Sequence, residues 1–185
     1  MEYPFRRLPK LRRPPGNQIA IVGDSISAGI DLRAPAWPFL LQQETGIRVR
    51  NLSQAGATTS DAIKVAQQLR GEDSLILVEI GGNDLISGLS AEQFARSLES
   101  LLSQVSIPGR TVIMMELPLL PHRIGYGQVQ RRLVKKYGIY LIPKRYFAHA
   151  ISGADATSDG LHLSGEGRRR MAQLVAEVIG QDQSR

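Results

Sequence analysis

The chain has 185 residues, no cysteine, and a formal net charge of +6 from 23 Lys and Arg against 17 Asp and Glu. That length suits one domain with a sizeable core, and 42% hydrophobic with 5% aromatic residues is ordinary for a globular protein. Without cysteine there can be no disulfide, thiolate nucleophile or zinc–thiolate centre, although the compartment is not fixed by this. No apolar run reaches the ~18 residues of a membrane span and none near Met1 has the form of a leader. A cytoplasmic location is therefore the expectation for the chain as given, with an upstream anchor or leader left open.

Residues 1–16, MEYPFRRLPKLRRPPG, hold Arg6, Arg7, Lys10, Arg12 and Arg13 against Glu2 alone, so +4 of the net charge belongs to them. Pro4, Pro9, Pro14 and Pro15 exclude a regular helix and predict an extended or flexible basic arm, ahead of a single domain over 17–185. Such an arm can touch an anionic membrane surface. Its plainer reading is a solvated tail that adds little to stability.

After the arm, strands and helices alternate. IAIV (19–22) reads as a buried strand, and Trp37, Leu40, Leu41 and Glu44 recur at helical spacing. IRVRN (47–51) alternates like a strand, then Thr58 and Asp61 form a capping-box signature ahead of a helix bearing Ala62, Ile63, Ala66 and Leu69. LILVEI (75–80) suits a strand covered on both sides. Ser90 and Gln93 cap a helix whose inner stripe is Phe94, Leu98, Leu101, Leu102 and Val105. TVIMMEL (111–117) and IYLI (139–142) complete five strands, joined by a helix holding Val129, Leu133 and Val134. Met171, Leu174, Val175, Val178 and Ile179 mark a closing amphipathic helix, with Arg168 to Arg170 expected on its wet face. Strand–helix alternation implies right-handed crossovers, hence an α/β fold with a central parallel sheet between two helix layers.

In such a sheet ligands gather at the carboxyl ends of the strands. Polar residues lie there: Ser25 in GDSIS after strand one, Gly56 in NLSQAG after strand two, and Asn83 in GGND after strand three. DGLH, carrying Asp159 and His162, precedes the last helix. Together these residue types suit acyl transfer. A serine hydroxyl needs a base, which an imidazole supplies near neutrality, and a carboxylate three residues earlier can hold the ring's tautomer. A tetrahedral oxyanion needs donors, available from the N–H of Ser25 and Gly56 and the amide of Asn83, and glycine at 56 lets the main chain come close. Each piece alone has an ordinary reading as a turn or a helix cap. Four in order at one rim do not.

The four blocks resemble those of the SGNH hydrolases, also called GDSL lipases and esterases, over roughly residues 19–180. GDSISAG and LVEIGGND look most like the compact bacterial thioesterase and lysophospholipase branch. The resemblance implies a flavodoxin-like three-layer sandwich, no metal or organic cofactor, and a triad of Ser25, His162 and Asp159. Leu161 and the HLSGEG that follows depart from the common pattern without touching a reacting atom.

The substrate is less legible. LPLLPHRIGYG (117–127), with Leu119 and Leu120, follows strand four and can line an acyl pocket with Leu85 and Ile86. Leucine walls favour an acyl ester, lysophospholipid or thioester, with carbohydrate O-acetyl ester as the alternative. A binding module on a hydrolase fold is the non-enzyme alternative, although every expected reacting atom is present. No aromatic-interleaved basic stripe suggests nucleic acid. A monomer acting on a small-molecule ester is the expectation. Asp24 and Asp84 are expected to serve loop backbone, and His122 and His149 to be surface or packing residues in or near loops.

Overall fold

The structure is a computed structural model that describes residues 5–29, 34–118, 124–152, 155–157 and 162–180. These residues build a five-stranded sheet from β1 (Gln18–Gly23), β2 (Arg48–Asn51), β3 (Leu75–Glu79), β4 (Thr111–Met115) and β5 (Tyr140–Ile142). The order is β2-β1-β3-β4-β5 and every pairing is parallel. Central β1 and β3 are apolar almost throughout because helices cover both of their faces. Edge strand β2 keeps the polar Arg48, Arg50 and Asn51.

Period-two alternation sorts the core. Ala20 and Val22 of β1 face one cluster, completed by α3 (Thr59–Ala66), α5 (Ala91–Val105) and α6 (Ile124–Tyr137). Ile19 and Ile21 face the other, completed by α2 (Trp37–Thr45), α7 (Lys144–Ile151) and α8 (Gly165–Ile179). The capping boxes of Thr58 with Asp61 and of Ser90 with Gln93 are both formed. This is the three-layer α/β/α, flavodoxin-like sandwich that the sequence led us to expect.

Three expectations are corrected. The arm is not free of the body. Leu11 N donates to Val178 O at 2.7 Å and the Arg13 guanidinium to Thr45 O at 2.7 Å, where helices α8 and α2 end. Phe5 packs on the α5–α6 side and Leu8 and Leu11 on the α2–α8 side, so the segment straps one face of the sheet to the other. Apolar residues three apart point inward and leave Arg6, Arg7, Lys10 and Arg12 exposed. Second, Arg168 is buried on α8, because its guanidinium donates to Ala34 O at 3.0 Å and anchors the approach to α2. Third, the stretch after β5 forms a helix that the sequence reading did not include, α7, hidden from periodicity by its eight-residue length, with His149 exposed in its last turn as the surface residue expected. Its signal was Pro143 ahead of Phe147 and Ala150. His122 lies outside the described residues.

Candidate active site

β1 ends against β3 at Gly23. A Cβ there would stand 2.9 Å from Glu79 O and 3.0 Å from Ser27 Oγ, so only glycine lets the two backbones approach. The chain then turns at Asp24, whose carboxylate accepts from Ile26 N at 3.0 Å and caps the short helix α1 (Ser25–Ala28). Ser25 is the first residue of that helix, so its N–H falls outside the intrahelical ladder. Ser27 Oγ donates to Glu79 Oε2 at 2.8 Å, tying α1 back to β3.

After β3 the chain enters α4 (Gly82–Ile86). There Asn83 Nδ2 donates to Ala57 O at 3.0 Å and lies 3.4 Å from Asp24 Oδ2. Asp84 Oδ2 accepts from Thr59 N at 2.8 Å and Thr59 Oγ1 at 3.1 Å. The loops after β1, β2 and β3 are thus stitched together by side chains. They meet where the chain leaves β1 for β2 on one side and then β3 on the other, the switch point at which open α/β sheets bind ligands. Asp24 and Asp84 serve backbone N–H groups, as expected.

Gly56 sits in an exposed turn next to the carbonyl that Asn83 grips, with φ of +77°. That left-handed conformation itself favours glycine, and a Cβ there would meet no protein atom within 4 Å, so the space before Gly56 N is open. His162 is half-buried and borders a small hollow with Ser25, Trp37 and Arg168. Its segment is held by the antiparallel bridge of Thr157 with Leu163 and by Ser164 N donating to Ala156 O at 3.0 Å. The imidazole is near enough for its charge to act on Asp24. Asp159, Leu119 and Leu120 lie outside the described residues.

A cleft of about 230 Å³ opens over this rim. Asp24, Ser25, Glu79 and Asn83 give it a polar floor, and Ile26, Leu85, Ile86 and Leu117 give it apolar walls. Leu85, Ile86 and the beginning of the 117–127 stretch therefore lie where the sequence suggested. Phe147 and Ile151 of α7 also line it and were missed, because their helix was not recognised.

Electrostatics mark the floor. Asp24 and Glu79 are both buried at the cleft, near enough for the charge of Asp24 to act on Glu79. Burial, then the charge of Asp24, pushes Glu79 well above the usual carboxylate range; burial also raises Asp24. Glu79 is the more deeply buried of the two, and Asp24 accepts the N–H of Ile26. Among the described residues no group of three or more His, Asp or Glu could hold a metal ion, and no helix is long and apolar enough to cross a membrane.

Residues 21–170 match the profile of the GDSL-like lipase/acylhydrolase family. An arylesterase of Vibrio mimicus is 27% identical over 179 residues, covering 88% of each chain. Thioesterase 1/protease 1/lysophospholipase L1 of Escherichia coli K12 is 25% identical over 190 residues, covering 97% of this chain and 91% of its own. The crystal structure of TesA superposes with a TM-score of 0.74 at 26% identity, covering 85% of this chain and 95% of that one. The chain belongs to the GDSL-like lipase/acylhydrolase family and is an ester hydrolase of that family.

Proposed function

We propose that this family member cleaves carboxylic esters of acyl chains, including lysophospholipid or thioester substrates, through an acyl-enzyme on Ser25. The observation that carries the reading is that Ser25 borders both the apolar-walled cleft and the hollow that it shares with His162. Ser25 is thus adjacent both to a place for an acyl chain and to a candidate base. His162 takes the proton as Ser25 Oγ bonds to the carbonyl carbon, and Asp159 holds the imidazole. The carbonyl oxygen becomes an oxyanion that accepts from Ser25 N, Gly56 N and Asn83 Nδ2. Collapse expels the alcohol or thiol, which takes the proton from His162. A water, deprotonated by the same ring, then releases the acid. One Asn83 hydrogen is fixed on Ala57 O at 3.0 Å, which aims the amide, and the other makes only a long 3.4 Å bond to Asp24 Oδ2, which an oxyanion can replace.

The apolar walls favour acyl chains over carbohydrate esters. The related arylesterase and thioesterase/lysophospholipase support the same chemistry. Hydrolysis of a chromogenic short-chain ester by the wild type, set beside Ser25→Ala, tests the reading; an Ala variant with near-normal turnover would overturn it.

The exposed Arg6, Arg7, Lys10 and Arg12 on the strap are proposed to give weak contact with an anionic membrane surface, each cation contributing up to ~1 kcal/mol. Cosedimentation with phosphatidylserine vesicles at two salt concentrations checks this. Salt-sensitive binding that is lost in the Ala-substituted strap is expected, and equal binding by both forms would remove the proposal.

A further inference from the structure

The apolar cleft beside Ser25 owes one wall to α7, a helix with no part in the chemistry described above. Phe147 and Ile151 stand four residues apart, so they share one face of the helix, and both border the cleft. Phe147 is buried in the α2–α8 core and Ile151 packs against the same cluster, so the wall is backed by packed side chains. Leu117 and Pro118, where the chain leaves β4, also line the cleft. Its volume of about 230 Å³ is below the ~300–1,000 Å³ of pockets that enclose a drug-sized ligand, which suits a short acyl group.

The start of α7 is secured from a distance. Pro143 offers its first turn no side-chain hydrogen bond. Glu116, the residue after β4, supplies one: its Oε2 accepts from Lys144 N at 2.9 Å, while its Oε1 accepts from Arg131 Nε at 2.7 Å. The carboxylate is buried, and negative charge at a helix N-terminus is favourable. Glu116 N donates to Ile142 O at 3.0 Å, at the end of β5, and the next N–H, that of Leu117, is taken by Gln130 Oε1 at 3.0 Å. Both apolar walls are thus set from one buried acid and its neighbours. Glu116 itself is not among the residues that border the cleft or the hollow.

We propose that α7 sets the acyl-chain length of this enzyme, with Phe147 and Ile151 as specificity-determining residues and Glu116 as the positioning residue that holds them in place. The inference deepens the function proposed above and rests on it. A chain too long for the cleft must either push α7 outward or leave its end in water. The first breaks the bond from Lys144 N to Glu116 and unpacks Phe147. The second forfeits about fourfold in affinity for each methylene left unburied. Neither changes the attack on the carbonyl carbon, so the effect falls on selectivity.

The test is kcat/KM on p-nitrophenyl acetate, butyrate, octanoate and dodecanoate, each below its critical micelle concentration and normalised to sites titrated with a fluorophosphonate. The wild type is expected to favour butyrate over dodecanoate. Phe147→Ala should raise the dodecanoate-to-butyrate ratio ~tenfold or more, at about fourfold for each methylene that the vacated space admits. Where that variant does not fold, Ile151→Ala, at a half-buried position, decides in its place. Lys144→Pro probes Glu116 without cutting into the core, because proline is accepted at the first position of a helix yet has no N–H for the carboxylate. It should move the ratio in the same direction by a smaller factor, whereas Glu116→Gln, which keeps an acceptor for Lys144 N, should stay near the wild type. A wild type with no preference for the shorter chain, or a wild-type ratio in the cleft variant or in Lys144→Pro, would each overturn the proposal. Equal gains on acetates of long alcohols would place the leaving group in the cleft and overturn it too. Activity surviving in Ser25→Ala would instead overturn the underlying function, and the two failures are read separately.

Discussion

Two ends of the sheet bury acids in opposite ways. At the amino end Asp73 is wholly buried and fully served: Arg50 pairs with it, Gln18 Nε2 donates at 2.8 Å and Arg70 N at 2.7 Å. At the carboxyl end Asp24 and Glu79 are almost as deeply buried, yet among the described residues no Lys or Arg pairs with them, and their partners are the neutral donors Ile26 N, Asn83 Nδ2 and Ser27 Oγ. A cation beside Asp73 only steadies the fold. The buried acid at the amino end is thus paired with a cation, whereas those at the carboxyl end are served by neutral hydrogen-bond donors.

If that division is right, substitutions at the two ends should move different quantities. Ser25→Ala should leave thermal unfolding unchanged and lower ester turnover by several orders of magnitude, as the loss of a triad nucleophile does. Asn83→Ala should lower kcat by ~10²–10³-fold with little change in KM, since its amide serves charge present only in the transition state. A raised KM alone would make Asn83 a substrate contact. Asp73→Ala should do the reverse. By stranding Arg50 and two further donors it should cost about 3 kcal/mol in urea denaturation, with kcat per titrated site unaltered.

Smaller effects sharpen the picture. Deleting residues 1–16 should lower the melting temperature by a few degrees, at ~2–4 °C per kcal/mol for a chain of this size, because Phe5, Leu8 and Leu11 are packed. A melt superposable on the full chain would restore the free-tail reading. Finally, Glu79 holds its proton more tightly folded than unfolded, so its contribution is fully present below the usual glutamate range and is lost as pH rises towards its folded value. Glu79→Gln, lacking this penalty, should gain on the wild type in denaturant midpoint as pH rises above the usual glutamate range. A constant difference would mean that Glu79 stays ionised.

The layers and the sheet were legible because hydrophobic periodicity is a local property. LILVEI can only be a strand covered on both faces, and the α8 stripe can only be one side of a helix. Ser25, Gly56 and Asn83 were placed at one rim by the same logic, since parallel strands bring their carboxyl ends together. What escaped depended on distant partners. Arg168 reads as a surface cation until the carbonyls of Ala34 and Pro35 are seen across the fold. Glu79 reads as the tail of a strand until Asp24, Ser27 and the loss of water around it are known together. The strap was misjudged because charge dominates its composition, whereas three apolar residues at a spacing of three decide where it lies.

The central claim is that Ser25 forms a covalent intermediate. The most direct measurement is incubation of the intact protein with a fluorophosphonate, followed by peptide mass mapping. One adduct per chain, located on Ser25, absent from Ser25→Ala and accompanied by loss of esterase activity, is the result expected. An adduct on another serine, or full labelling with activity retained, would contradict the account.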